Sequence, residues 1–488
     1  MTPIPFANSY SQLPARFYSR EQPTPVASPV LIRANHGLAR LLGIDPDWLA
    51  SPEAVQVFAG NQLPPGAEPI ATVYAGHQFG GWNPQLGDGR AILLGEVVAA
   101  DGHRYDIQLK GAGPTPYSRG GDGRSPLGPV VREYLVSEAM AALGIPTTRS
   151  LAAVTSGEPV YRNSVLPGAI LTRVARSHIR VGHFQYFLAR KDEEAIQLLA
   201  DHLIARDFPE ALESANPYRD LLAGAIARQA RLIAQWQLVG FIHGVMNTDN
   251  MLICGETVDY GPCAFMDSYH PDTCFSSIDH GKRYAYKNQP AIGHWNLSWL
   301  AQSLLPLLDQ DEERAIAAAQ EALDSFSQLY QHAYTAGMHR KFGLESPSRE
   351  SHQFIEDFMA QLASEGLDYT LAFRHLADLT DSSDGGGVEF SFPESFTGLL
   401  GQWRKLCGQG QQTPRQRQLA MYLVNPAVIP RNHLVEEAIR AAEDKGDFAP
   451  FHQLLEVLAT PFQLDPENSR YTLPPQPHQV VHKTFCGT

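Results

Sequence analysis

The sequence has few cysteines and no long apolar run. Five cysteines are spread over 488 residues, too few and too scattered for a disulfide framework, and their spacings match no zinc site. No stretch reaches the roughly 18 apolar residues that span a bilayer, and the first residues lack the basic region and apolar stretch of a secretory signal. The sequence therefore predicts a soluble protein of the reducing cytoplasm, with no membrane partner.

Basic residues are also scarce. Lys and Arg total 38 against 52 Asp and Glu, which gives a formal net charge of −14. This balance disfavours nucleic acid as a partner but leaves room for a local basic pocket that binds one phosphate chain. With 43% hydrophobic residues the chain can bury a sizeable core, and its length favours two lobes with extensions. We favour a monomer.

Glycine, in contrast, is concentrated near the start of a predicted β-hairpin. Gly87 and Gly89, followed by Arg90, precede this hairpin and would let the backbone approach a phosphate chain, because no Cβ is in the way. A simple hairpin turn is the alternative interpretation. The segments in order are 74–80 (YAGHQFG), 85–90 (QLGDGR), an apolar strand over 91–99, a turn at Asp101-Gly102 and an alternating strand over 105–110.

Lys110 ends the second strand of this hairpin, at a distance from the glycine loop that is typical of the kinase lysine. A second glycine-rich loop follows, and then a helix predicted from about residue 129 to 143, which carries Glu133 and Glu138. Either glutamate could form the ion pair that holds such a lysine. Spacing favours Glu133, whereas helical phase places Glu138 on the apolar stripe. We rank Glu133 first.

Three arginines within eight residues, Arg173, Arg176 and Arg180, concentrate positive charge in an acidic chain. Guanidinium groups bind phosphate oxygens in a bidentate geometry, so this cluster is suited to a polyphosphate. Surface ion pairing is the competing explanation. Further on, a long helix is predicted over residues 218–239.

Residues 241–250 (FIHGVMNTDN) have the layout of a kinase catalytic loop, and Asp259 opens a metal-loop sequence, Asp-Tyr-Gly. Kinases place the catalytic Asp two positions after the His, but here that position is Val245, and the nearest carboxylate is Asp249. Asn250 and Asp259 offer the hard oxygen ligands that Mg²⁺ or Mn²⁺ prefers, and residues 251–254 are predicted as a short buried strand between them. An Asx-rich turn is the alternative.

The order of these elements predicts an α/β (α+β), protein-kinase-like two-lobed fold. We expect a loop or linker around residues 378–392, where Gly and Ser cluster. The predicted parts are an N-terminal extension that wraps the lobes (1–70), an N-lobe (71–170), a C-lobe (171–390) and a helical C-terminal extension with a cysteine-bearing tail (391–488).

Five blocks closely resemble the selenoprotein O family, also called YdiU. The resemblance implies a kinase-like fold and a protein adenylyltransferase that moves AMP from ATP to Ser, Thr or Tyr hydroxyls of proteins. It also implies that the nucleotide is inverted relative to ordinary kinases, so that no base is needed at Val245. A phosphotransferase using Asp249, or a catalytically silent nucleotide-binding scaffold, are the alternatives. The blocks are residues 74–80, 85–90, 108–111, 243–250 and 259–262.

The same resemblance implies roles for individual residues. Asp249 would be the base, Asn250 and Asp259 would bind Mg²⁺ or Mn²⁺, and a reversible bridge between Cys274 and Cys486 could regulate access to the site. Two unrelated thiols are an equally good reading of the cysteines. The implied nucleotide-binding residues are Gly87, Gly89, Arg90, Lys110, Asp122, Gly123, Glu133, Arg173, Arg180 and Asp259.

Overall fold

A computed structural model describes residues 3–381, 387–481 and 484 of the chain. The strands are β1 (Tyr18–Arg20), β2 (Val30–Ala34), β3 (Ile70–Gln78), β4 (Gly81–Gly87), β5 (Ala91–Val98), β6 (Arg104–Lys110), β7 (Ser125–Pro126), β8 (Arg149–Tyr161), β9 (Val165–Ala175), β10 (Phe241–Ile242) and β11 (Ala264–Phe265). The helices of the N-terminal half are α1 (His36–Leu41), α2 (Pro52–Phe58), α3 (Leu127–Ala142), α4 (Val181–Leu188), α5 (Glu193–Asp207) and α6 (Pro217–Leu238). Those of the C-terminal half are α7 (Gln289–Leu308), α8 (Glu312–Phe342), α9 (Arg349–Ser364), α10 (Tyr369–Asp378), α11 (Thr397–Cys407), α12 (Pro414–Tyr422), α13 (Asn432–Lys445) and α14 (Ala449–Leu458).

The N-lobe is built on an antiparallel sheet. Its strand order is β1-β3-β5-β6-β9-β8-β2, with β4 paired to β3 and β7 paired to β9. The predicted hairpin is present as β5 and β6, in a register that places Ala91 opposite Lys110. Helix α3 packs on the sheet through Val131 and Leu135, which share a buried cluster with Leu171.

The N-terminal residues extend this sheet and cover its other face. Strands β1 and β2 pair with β3 and β8, near opposite ends of the sheet. Leu38 and Phe58, from the N-terminal helices, are buried in one cluster with Ile107 and Leu109 of β6. Apolar side chains of β6 therefore point to this covered face, and its alternate residues point toward α3 and the space between the lobes.

The boundary predicted at residues 170/171 falls inside strand β9. This strand pairs with both β6 and β8 along its length, up to Ala175. Because a strand bonded on both sides cannot be divided between lobes, the N-lobe ends after Ala175. The helical C-lobe follows, and its long helix α6 lies within a residue of the predicted bounds, with Ile226 and Ile233 buried against Leu304 of α7.

The predicted C-terminal extension consists of two parts that contact different lobes. Trp403 of α11 and Met421 of α12 are buried against Phe342 of the C-lobe. Helices α13 and α14 instead pack on α3 of the N-lobe, within the cluster that holds Val131 and Leu135. The extension therefore joins the two lobes on the side opposite the N-terminal residues.

These layers confirm the predicted α/β (α+β) class and its two-lobed arrangement. In the predicted linker, the described residues 387–392 form no helix or strand, and residues 382–386 lie outside the described part of the chain. No helix among the described residues combines the length and the apolar composition that a membrane crossing requires.

Candidate functional site

A cavity of about 850 Å³ lies between the sheet of the N-lobe and the loop that follows β10. It brings together residues that are up to 172 positions apart in the sequence, Gly87 and Asp259 being the extremes of the predicted set. Glu133 and Cys274 are not part of the lining, and Glu133 lies directly behind it. The predicted site residues in the lining are Gly87, Gly89, Arg90, Lys110, Asp122, Gly123, Arg173, Arg180, Asp249, Asn250 and Asp259.

The charge of this lining is opposite to that of the chain. Its basic residues exceed its acidic ones by three, whereas the whole chain carries a net charge of −14. Such a concave basic surface favours an anion with several negative charges, such as a polyphosphate. The basic residues are Arg90, Lys110, Arg119, Arg124, Arg162, Arg173 and Arg180, and the acidic ones are Asp88, Asp122, Asp249 and Asp259.

Lys110 pairs with Glu133 rather than with Glu138. The Lys110 Nζ lies 2.5 Å from Glu133 Oε2, and both side chains are buried. Glu138 instead accepts from Arg149, whose Nη2 lies 2.6 Å from Glu138 Oε2. Spacing from Lys110 therefore identified the partner correctly, whereas helical phase did not. Helix α3 is buried both on the sheet side and on the α13 side, so its apolar stripe is broad and does not distinguish the two glutamates.

Asp259 is surrounded by three cations. Its Oδ1 lies 2.9 Å from Arg173 Nη2 and 3.5 Å from Lys110 Nζ, and its Oδ2 lies 2.9 Å from Arg180 Nη1. Burial opposes ionisation of Asp259, but Arg173, Arg180 and Lys110 together hold its pKa well below the usual range. Arg176 lies outside the cavity lining, and its guanidinium lies 3.9 Å from the Asp207 carboxylate. Two of the three clustered arginines thus serve the cavity.

Asp249 lies on a single turn of 3₁₀-helix, Thr248–Asn250. Its Oδ2 accepts a hydrogen bond from Gln78 Nε2 at 2.9 Å, while its Oδ1 is buried and has no hydrogen-bond partner among the described residues. Burial raises the pKa of Asp249 to about 6, against the lowering effect of Gln78 and Arg180. Asp249 is therefore a poorly solvated carboxylate with a raised pKa, and both properties suit a general base.

Three oxygens converge beside Asp249 on a single cationic atom. Arg180 Nη1 lies 2.5 Å from the Asp249 carbonyl, 2.9 Å from Asp259 Oδ2 and 3.4 Å from Asn250 Oδ1. The Asn250 amide nitrogen donates to the Val245 carbonyl at 3.0 Å, which turns Oδ1 toward the cavity. These hard oxygens fit a small divalent cation.

The described residues contain no group of three or more His, Cys, Asp or Glu side chains arranged to hold a metal. Asn250 and Asp259 would be the protein ligands of a bound cation, which would replace their contacts with Arg180 and leave the rest of its shell to phosphate and water oxygens. Mg²⁺ is usually bound in this way in sites that also bind nucleotide.

Sequence reasoning assigned no role to residues 74–80, and the structure shows that they hold the loop around Asp249. The backbone N–H of His77 donates to Thr248 Oγ1 at 2.7 Å, and that of Phe79 donates to Asn247 Oδ1 at 3.1 Å. Gln78 contacts Asp249 itself. The density of glycine and aromatic residues was the available signal, but nothing local indicated a contact across about 170 positions.

One other expectation, the strand over residues 251–254, is wrong, and another, the cysteine bridge, involves a residue outside the described part of the chain. Residues 251–254 are buried but form no strand, since only a single bridge joins Leu252 to Arg180 before the chain turns. Cys274 is half-buried, and burial together with Asp279 raises the pKa of its thiol to about 11, while Cys486 lies outside the described residues.

A family model described as "Protein adenylyltransferase SelO" matches residues 1–459. The chain belongs to this family. It is 58% identical to the protein nucleotidyltransferase YdiU of Rhodopseudomonas palustris strain BisB5 over 488 residues, which cover 99% of each chain. It is also 55% identical over 487 residues to the protein of the same name from Bradyrhizobium diazoefficiens, again covering 99% of each chain. The family predicted from the motifs is confirmed, and with it the nucleotidyltransferase class of enzyme.

Proposed function

We propose that this member of the SelO family transfers AMP from ATP to Ser, Thr or Tyr hydroxyls of proteins and releases pyrophosphate. The observation that carries the proposal is the placement of a poorly solvated carboxylate in the lining of a basic cavity. Lys110, Arg173 and Arg180 supply the positive charge, and Asp249 supplies the carboxylate.

The polyphosphate is held mainly by charge in this proposal. Lys110, anchored by Glu133, and the two arginines contact the phosphates, and Arg173 and Arg180 take those that leave as pyrophosphate. Phosphoryl and nucleotidyl transfer need positioning and neutralisation of charge more than covalent help from the protein. The remaining nucleotide contacts come from Gly87, Gly89, Arg90, Asp122 and Gly123.

Gly87 and Gly89 are required by the packing of the cavity wall against Tyr117. Gly87 has φ of +147°, and a Cβ there would lie 2.4 Å from the ring of Tyr117. A Cβ at Gly89 would lie 2.7 Å from the Tyr117 carbonyl. Both positions therefore require glycine to keep this wall of the cavity in place.

Asn250 and Asp259 would hold Mg²⁺ or Mn²⁺, which supplies neutralisation of phosphate charge when bound. Asp249 accepts the proton of the acceptor hydroxyl. Its place in the loop, four residues after Val245, supports an inverted nucleotide, because a base built for transfer of the γ-phosphate stands at the position of Val245 in kinases. With ATP reversed, the α-phosphorus faces the acceptor.

Transfer from ATP labelled separately at the α- and γ-phosphates tests this function. With a protein acceptor and Mg²⁺ or Mn²⁺, label from the α-position should become covalently attached to protein, and label from the γ-position should appear in pyrophosphate. Attachment of γ-label would instead indicate a kinase. Attachment of neither, with ATP still bound, would indicate a nucleotide-binding scaffold.

A further inference from the structure

One side chain of strand β3 in the N-lobe contacts Asp249, the proposed general base in the C-lobe. Gln78, the last residue of β3, donates from Nε2 to Asp249 Oδ2 at 2.9 Å. We infer that Gln78 is a positioning residue, which holds the Asp249 carboxylate in the orientation in which it receives the acceptor proton. The inference rests on the proposed function of Asp249 as base.

The two carboxylate oxygens of Asp249 are in different surroundings. Oδ2 is occupied by the Gln78 amide, whereas Oδ1 is buried and has no partner among the described residues. Gly76 lies beside Oδ1, and a Cβ at Gly76 would lie only 2.4 Å from it. The glycine therefore lets Oδ1 pack directly against strand β3, and this contact and the Gln78 amide together fix the orientation of the carboxylate.

Backbone contacts on either side of Gln78 fix its position relative to the loop. His77 donates to Thr248, Phe79 donates to Asn247, and Tyr284 Oη donates to the same Asn247 Oδ1 at 2.6 Å. Three consecutive residues of the strand end therefore contact three consecutive residues of the loop. A side chain held between two such contacts has little freedom, so its hydrogen bond orients Asp249 at small entropic cost.

This orientation matters at one step. The acceptor oxygen bonds to the α-phosphorus, and the bond from that phosphorus to the oxygen bridging to the β-phosphorus breaks. Pyrophosphate leaves with the bonding electron pair, and the hydroxyl proton passes to the Asp249 carboxylate. Gln78 lines the cavity, but in this scheme its amide is bonded to Asp249 and not to the nucleotide, so its loss should act on turnover rather than on ATP binding.

The substitution Gln78→Leu removes the donor at nearly constant size. We expect kcat for transfer of α-label to fall roughly 10- to 100-fold, the effect of a misplaced catalytic group, with KM for ATP changed by less than about threefold. Gln353→Leu is the matched control, since Gln353 also donates to a carboxylate, Asp357, at 3.0 Å, but on the exposed face of α9. Its kinetics should equal those of the unmodified protein.

A double-mutant cycle with Asp249→Asn separates this inference from the proposed function. If Gln78 acts through Asp249, the double variant should be no slower than Asp249→Asn alone. A further loss in the double variant, or a Gln78→Leu variant with unchanged kcat, would overturn the positioning role while leaving the base intact. An active Asp249→Asn variant would instead refute the base. Should Gln78→Leu melt well below the control, Gln78→Glu, which keeps the shape but not the neutral donor, should show the same loss of kcat.

Discussion

The ion cluster behind the cavity makes a quantitative prediction for Glu133→Gln. Glu133 is 2% exposed and contacts Lys110 Nζ at 2.5 Å and Arg173 Nη2 at 2.6 Å. Removing one partner of a buried ion pair costs about 3–5 kcal/mol, because a buried charge is left uncompensated. Asp259 still contacts both cations, so we expect the lower end, about 3 kcal/mol. That is a large share of the roughly 5–15 kcal/mol that stabilises a typical domain.

Urea unfolding and transfer of α-label measure the two consequences. The variant should show a lower unfolding midpoint and at least about tenfold slower transfer, since Lys110 loses its anchor. Inorganic triphosphate should reduce the difference in unfolding free energy between the variant and the unmodified protein. The bound anion replaces the negative charge of the missing carboxylate, and it does so in the folded state alone.

Glu138→Gln is the control on the same helix. Its partner Arg149 keeps a side-chain exposure of 30%, so solvent can take over part of the lost interaction and transfer should be unchanged. A Glu138→Gln variant with slower transfer than Glu133→Gln would refute the assignment of the lysine's partner.

Three further predictions concern the site and its surroundings. Asp259→Ala should abolish α-label transfer, because one of the two protein ligands of the cation is lost. Removal of divalent cations with EDTA should have the same effect, and an undiminished rate in either case would contradict the proposed metal site. Gly76→Ala should lower kcat about 100-fold, since its Cβ would lie 2.4 Å from Asp249 Oδ1; a normal rate would show that the loop can move away. Burial raises the pKa of Glu256 to about 8, so the folded state favours the protonated form and stability falls as pH rises from about 4.5 to 8. The melting temperature of Glu256→Gln should therefore exceed that of the unmodified protein increasingly across this range and level off above it, whereas a constant difference would be evidence against the shift.

Much of the fold was predictable because its signals are local. The hairpin of β5 and β6 follows from strict alternation and an Asp-Gly turn, and α6 follows from an apolar stripe closed by Gly240. The boundary near residue 170 was placed wrongly because β9 has the same pattern on both sides of it. Only its pairing with β6 and β8 shows that it is one strand.

The candidate site was predictable only where a motif carries its own geometry. Lys110, Asn250 and Asp259 follow from spacing, but the role of Gln78 depends on a contact with Asp249 across 171 positions. Side-chain periodicity describes the face of an element and not what another element brings against it. Such contacts therefore become visible only after the chain has folded.

The charge of the cavity is a further property that the composition of the chain does not predict. The net charge of −14 disfavours extended polyanions, but charges more than about 8 Å apart in water are largely screened at physiological ionic strength. The electrostatic field inside the cavity is therefore set by the few side chains that line it, among them Arg90 from the glycine loop, Arg162 from the β8–β9 turn and Arg180 before α4. Folding gathers these residues from three separate segments, so an acidic chain can form a basic cavity that its composition alone would not suggest.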